Sequence, residues 1–212
     1  MEIDRIDFGK NKECYRCHRV LKAKAYVVLN CNEEIFFGTE CIKENFPIID
    51  NNIPNFTRAG IENKSNHNNK INKKNEEKNN TENIKRAIEY IRLRCELLID
   101  FHGIEDKDIS DIYSKYRFSK LEENDKKYID DIIEYHEKII SKFGYKNLMA
   151  CYMAKNILHF LVENKDIEYA KSLYISLKSR YYLTENQIVG INKWIKNIKE
   201  MKEINGKWFF KK

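Results

Sequence analysis

The chain has 212 residues, and its 39 Lys and Arg against 33 Asp and Glu give a formal net charge of +6. The length allows one domain or a small module joined to a larger one, and the modest charge excludes a densely basic DNA-coating protein. The charged N-terminus lacks the apolar core of a secretory signal, and no stretch reaches the ~18 consecutive apolar residues of a membrane span. We therefore expect a cytoplasmic protein, in which clustered cysteines are more often metal ligands than disulfides.

A group of four cysteines lies near the N-terminus. Cys14 and Cys17 form a C-x-x-C knuckle, whose two thiolates can point at one ion. Two strand-like runs, AYVVLN and EEIFFG, follow, and GTECIKENF then predicts a helix with Thr39 as its cap and Cys41 in its first turn. Knuckle, β-hairpin and helix in this order predict a small treble-clef-like zinc-binding module over residues 1–48.

The predicted Zn²⁺ ligands are Cys14, Cys17, Cys31 and Cys41, of which Cys31 is the least well defined. Cys31 is expected in the hairpin turn, where about five strand residues at ~3.3 Å each would carry it more than ~10 Å from the knuckle. His18 is the alternative fourth ligand, followed by a residue outside the module or a water. Two other interpretations are that the cysteines are small buried apolar residues, or that the knuckle exchanges disulfides. The second is disfavoured because no thioredoxin-like α/β sheet is predicted.

Residues 49–80 are predicted to form a flexible linker rich in Asn and Lys. After Ile61 this segment has one apolar residue, Ile71, in about twenty positions, so it cannot bury enough surface to offset its ordering entropy. A long surface loop is the alternative interpretation.

Residues 81–212 are predicted to form an all-α domain of about five or six helices, because apolar residues recur at steps of three and four. The stretch Leu148–Val162 is apolar on most sides and should be the most buried helix. Thr184 and Gln187 have the spacing of a capping box at the start of the last helix. The predicted helices cover approximately residues 82–102, 107–115, 129–143, 148–162, 167–177 and 184–198.

The strings CYRCHRVL and FFGTEC resemble the pattern C-x-x-C-[G/x]-R-x-L … G-x-x-C of short zinc modules in small phage and mobile-element proteins. LTENQ at 183–187 resembles the L-[ST]-x-x-Q segment near the C-termini of such proteins. The resemblance covers residues 13–46 and those five residues. His18 replaces the family's glycine after the second cysteine, and Thr39-Glu40 replaces its Gly-Pro. The resemblance implies bound zinc and a mobile-element context, and it implies no particular activity.

The sequence contains no catalytic motif that we recognise. Zinc hydrolases and deaminases use H-E-x-x-H, or H-x-E with P-C-x-x-C, and neither occurs; both Gly-rich phosphate loops are also missing. His136 and Glu137 are adjacent, but no second histidine follows at helical spacing. Cys95 and His102 share a helical face and could help a second metal site, although a buried cysteine and a helix-end histidine are the simpler interpretation. We therefore expect a protein that is not an enzyme. The alternative is an enzyme whose active site is assembled from residues that show no motif.

The C-terminus is the most basic part of the chain. Residues 193–212 contain seven Lys and two Glu, so they carry +5 of the net charge of +6. Lysines and aromatic rings in KWFFKK suit phosphate contact and base stacking, unless the rings fold back onto the helices. The predicted nucleic-acid contacts are Lys207, Trp208, Phe210, Lys211 and Lys212. We predict a non-catalytic zinc-finger protein that binds nucleic acid, with single strands preferred; a protein–protein adaptor, or an inhibitor of a host system, with structural zinc is the alternative.

Overall fold

The computed structural model describes residues 1–21, 24–31, 33–47, 49, 53–58, 73–102, 106–165, 167–198 and 201–210. Its strands are β1 (Glu2–Phe8), β2 (Lys24–Asn30) and β3 (Glu33–Phe37). Its α-helices are α1 (Thr39–Asn45), α2 (Lys73–Arg92), α3 (Ile99–His102), α4 (Lys107–Phe118), α5 (Glu123–Lys138), α6 (Tyr145–Lys165), α7 (Glu168–Arg180) and α8 (Glu185–Ile195). A π-helical turn covers Leu93–Leu97, and short 3₁₀ turns cover Phe56–Arg58 and Gly206–Trp208.

A small β module followed by a helical region is the predicted order, and the structure confirms it. The sheet is antiparallel and has three strands in the order β1-β2-β3. The predicted hairpin corresponds to β2 and β3, whereas β1 was not among the predicted elements. Strand β2 is central, and its residues Ala25–Val28 are all buried because the other two strands flank it. Helix α1 follows β3, but its N-cap is Gly38, and Thr39 is already its first residue and provides no side-chain cap.

The core of the helical region is built around α6. Helix α6 has buried residues on most of its faces, as its sequence predicts. Helix α8 begins with the predicted capping box, in which Thr184 and Gln187 each accept a hydrogen bond from the other's backbone N–H. Among the described residues, no helix is both long enough and apolar enough to cross a membrane.

Both ends of the predicted linker 49–80 contain regular structure. Pro54 accepts a hydrogen bond of 2.8 Å from the backbone N–H of Ile6, and Asn55 pairs with Ile6 as an isolated parallel bridge. Phe56 is fully buried in the helical core. At the other end, α2 begins at Lys73, inside the predicted linker. The remaining linker residues, 50–52 and 59–72, lie outside the described part of the chain.

The sheet and the helices share a polar interface. Arg92 of α2 is only 2 % exposed and donates two hydrogen bonds to the carboxylate of Asp4, at 2.9 and 2.7 Å. Tyr152 of α6 donates its hydroxyl hydrogen to Asp7, with O–O distances of 2.8 and 3.0 Å. Buried charged groups therefore connect strand β1 to the helical region, so the two regions are in direct contact.

Candidate metal centre

The first two cysteines of the group lie in a tight turn. The backbone N–H of Cys14 donates to the carbonyl of Arg19, and that of His18 donates to the carbonyl of Cys14, both at 2.9 Å. His18 has a φ of 56°, in the left-handed region that favours glycine.

Cys41 reaches the knuckle from the first turn of α1. The backbone N–H of Tyr15 donates to the carbonyl of Phe36 at 2.7 Å, which fixes the knuckle against the end of β3. Arg16 of the knuckle also forms an ion pair with Glu44 of α1. The knuckle, the end of β3 and the start of α1 therefore meet at one point on the surface of the module.

At this point the sulfur atoms of Cys14, Cys17 and Cys41 lie within 4.8 Å of one another. Three sulfurs this close together can hold one metal ion, since Zn–S bonds are ~2.3 Å long. Cys14 is buried, Cys41 is partly buried and Cys17 is exposed. The group is therefore open to solvent on one side, and it is the part of the predicted site that the structure brings together.

Hydrogen bonds shift the pKa values of Cys14 and Cys41 in opposite directions. Burial alone would raise the pKa of Cys14, but hydrogen bonds from the backbone N–H groups of Gly38, Cys17 and Arg16 lower it to about 7. The pKa of Cys41 rises to about 11, first because its thiol hydrogen-bonds to Cys17, and then through burial and its nearness to Cys14. One thiolate is thus available near neutral pH. A bound divalent cation would favour ionisation of the other thiols, because metal binding displaces thiol protons.

The predicted fourth ligand, Cys31, is not part of this group. It lies exposed in the β2–β3 turn with a φ of 50°. Tyr26 pairs with Phe37 beside the knuckle, whereas Asn30 pairs with Glu33 beside Cys31, so the length of the hairpin, about 13 Å at ~3.3 Å per residue, lies between them. The structure therefore corrects the assignment of Cys31 for the geometric reason that already made it uncertain.

The alternative fourth ligand, His18, follows Cys17 in the sequence, but its side chain contacts Glu13 and does not join the three thiols. Its side chain is exposed, and its Nδ1 lies 2.7 Å from a carboxylate oxygen of Glu13. Within the described ranges, no His, Asp, Glu or further Cys joins the three thiols as a member of the metal-binding group. The structure thus brings together three candidate ligands among the residues that it describes.

The cysteines of the helical region are separate from this group. Cys95 is buried, its Sγ lies 3.9 Å from the carbonyl oxygen of Ile109, and burial raises its pKa to about 11. Cys151 is also buried and donates to the carbonyl of Tyr181. The side chain of His102 lies outside the described residues. Cys95 and Cys151 are therefore core residues, as the simpler interpretation of the sequence predicts.

The C-terminal residues predicted to bind nucleic acid are divided between the core and the surface. Trp208 and Phe210 pack partly buried against the helical core. The backbone N–H of Phe210 donates to Asn147 at 3.0 Å, and its ring makes an edge contact with Tyr182. Lys207 is exposed, while Lys211 and Lys212 lie outside the described residues. This arrangement matches the alternative interpretation, in which the rings fold back onto the helices.

Comparison of the chain with protein-family models, with curated proteins and with solved structures found no significant match. Interpretation of the cysteine group therefore depends on its own geometry and chemistry.

Proposed function

We propose that this is a non-catalytic zinc-finger protein of phage or mobile-element type that contacts nucleic acid, with one zinc ion bound by Cys14, Cys17 and Cys41. The observation that carries the zinc proposal is the convergence of three thiols from two separate elements, a knuckle and a helix N-terminus. Thiolates are soft ligands and select zinc over the hard cations magnesium and calcium. The mobile-element context is supported only by the resemblance of the sequence.

A structural role for the ion is supported by the poor packing of the knuckle. Beside the knuckle, the buried apolar residues are Cys14, Leu21 and Ala25, with Phe36 and Cys41 partly buried around them. Tyr15 and Val20, in contrast, are exposed. Such a small core gives little stabilisation, and metal–thiolate bonds can replace it as they do in other small modules.

A catalytic role for the ion has less support. Three protein ligands leave one coordination position for water or for a group from outside the described residues. Zinc hydrolases also need a general base beside the bound water. Glu13 and His18 are the carboxylate and imidazole nearest to the knuckle in sequence, and they bind each other on the exposed surface. We therefore propose that the ion holds the fold together.

Elemental analysis of the purified protein tests the zinc proposal. We expect about one zinc per chain in the parent protein. Cys17→Ser removes an exposed ligand and should lose the ion. Cys31→Ser is the matched control, because it changes an exposed cysteine of the same module that lies away from the group. Absence of zinc from a folded parent protein with reduced thiols would contradict the proposal, and equal zinc in both variants would contradict the ligand assignment.

Nucleic-acid contact is supported by the net charge of +6 and by the position of the lysines around the sheet. Binding of a labelled single-stranded oligonucleotide should weaken as salt is added, because bound lysines release counterions from the phosphates. A protein–protein adaptor would show no such binding. In that case zinc would still be expected, so the two parts of the proposal can fail separately.

A further inference from the structure

A cleft of about 370 Å³ lies between the β-sheet and α6. Its volume is within the range of ~300–1,000 Å³ that is usual for ligand sites in proteins. Four lysines and a single acidic residue, Glu163, are among its lining residues. The lysines are Lys10, Lys12, Lys24 and Lys202.

The backbone explains why three of these lysines are close together. Phe8, at the end of β1, pairs with Lys24, at the start of β2. The next residue is Gly9, where an added Cβ would come within 2.7 Å of the Lys24 backbone, so glycine is needed for this close approach. The backbone N–H of Lys12 then donates to the carbonyl of Gly9 at 3.0 Å and closes the turn. Lys10 and Lys12 are thereby brought beside Lys24.

Helix α6 forms the opposite wall of the cleft. The side chain of Asn11 hydrogen-bonds to that of Asn164, which fixes the turn after β1 against the end of α6. Phe160 and His159 of α6 line the cleft, and the Lys10 ammonium lies 5.1 Å from the centre of the Phe160 ring. The recess therefore combines positive charge with an aromatic wall.

The charge of the cleft is largely uncompensated. Lys12, Lys24 and Lys202 are exposed, and none of them forms an ion pair with a carboxylate in the part of the chain that the structure describes. Lys12 and Lys24 instead place their ammonium groups over the rings of Phe36 and Tyr26, at 5.1 and 5.5 Å. Four lysines against one carboxylate give the recess a net positive charge, and such a recess concentrates anions.

We infer that this cleft binds the phosphate groups of single-stranded nucleic acid. The inference rests on the proposed function and locates its contact surface, which the sequence placed at the C-terminal rings. Lysines along a groove together with aromatic side chains are the usual features of single-strand sites. Lys202 belongs to the basic segment 193–212, so this segment contributes to the site through Lys202, while Trp208 and Phe210 pack on the core.

Charge removal at two of the lysines tests the inference. The variant Lys12→Gln/Lys24→Gln keeps two exposed positions polar, so we expect it to fold. Its affinity for a labelled single-stranded oligonucleotide should fall at least about tenfold at low salt, and the plot of log K against log salt should become shallower by about 1.4, since each phosphate contact contributes ~0.7. The matched control is Lys127→Gln/Lys138→Gln, which removes two exposed charges from α5 and should bind as the parent does.

Two further measurements give the inference independent support. Glu163→Gln removes the single acidic lining residue, so it should tighten oligonucleotide binding. Bound oligonucleotide should also protect Lys12 and Lys24, but not Lys127 and Lys138, from chemical acetylation.

The possible failures can be told apart. If the parent protein shows no salt-sensitive binding, both the nucleic-acid proposal and this inference are wrong. If the parent binds but the Lys12→Gln/Lys24→Gln protein binds equally well, the proposed function stands and the cleft is not the site. If a mononucleotide competes as strongly as the oligonucleotide at equal molar concentration, the cleft holds a small nucleotide and the single-strand inference is overturned.

Discussion

The N-terminal module and the helical region are stabilised in different ways. The main core of the module consists of four buried residues, Tyr26, Val28, Phe37 and Ile42, with a few partly buried neighbours. The core of the helical region extends from Phe56 to Phe209 and involves most of the helices. The larger region therefore has the more extensive core, whereas the module has few buried residues, its contacts with the helices and, on our proposal, a bound zinc ion.

The largest difference between the two regions should appear when the metal site is broken. Cys14→Ser removes a buried ligand of the proposed zinc ion, and zinc binding contributes about 10–16 kcal/mol of apparent free energy in isolated zinc-finger peptides. We expect the amide signals of β2 and β3 to lose their native shifts in NMR spectra, while the helical circular dichroism is retained. Loss of both signals together would show that the helices need the intact sheet.

Breaking the interface between the two regions should lower the free energy of unfolding by a smaller amount. Arg92→Met leaves the partly buried carboxylates of Asp4 and Glu96 without their main partner, a change that typically costs about 3–5 kcal/mol. Chemical denaturation should measure a loss of this size. Arg180→Met, at an exposed position of α7, is the control and should change the unfolding free energy by less than about 0.5 kcal/mol. Equal effects of the two variants would argue against the interface.

Acid should weaken the same interface by a still smaller amount. Burial alone would raise the pKa of Asp4, but hydrogen bonds and charge from Arg92 and Arg5 lower it below its ordinary value. The resulting stabilisation is complete above the unfolded pKa of about 3.9 and is lost as the pH falls from there through the lower folded pKa. Asp4→Asn should therefore be less stable than the parent at pH 7, and the difference in urea midpoint should shrink at pH 3. If the difference in urea midpoint were the same at pH 7 and pH 3, ionisation of Asp4 would not be the source of the acid sensitivity.

Local patterns in the sequence predict the features of the molecule that are formed by residues close together in the chain. The spacing of Cys14 and Cys17 and the position of Cys41 in a helix start identify the three cysteines that the structure brings together. The capping box at Thr184 and the buried helix α6 are also local features. In each case the signal lies within a few neighbouring residues, even for Cys41, whose place is indicated by the helix start around it.

Features that depend on distant partners could not be predicted in this way. Strand β1 was missed because it carries buried charges and a register shift between Ile3 and Arg5, which breaks the usual alternation. Its charged residues pair with one another through Arg5, and with Glu34, Arg92 and Tyr152 from other parts of the chain. The cleft was missed for the same reason, since its lysines come from three separate segments. Aromatic composition alone also cannot distinguish rings exposed for base stacking from rings that pack on the helical region, as Phe210 does on Tyr182.

The hydrogen bond between Asp7 and Tyr152 has a consequence for synthesis of the protein on the ribosome. Its two residues are 145 positions apart, so at the usual rates of translation Tyr152 is synthesised roughly 7 to 30 s after Asp7. During that time β1 is an edge strand exposed to other nascent chains. Edge strands that carry charged side chains resist pairing with foreign strands. Asp4, Arg5 and Asp7 can therefore keep the unfinished protein from aggregating before the interface with the helical region forms.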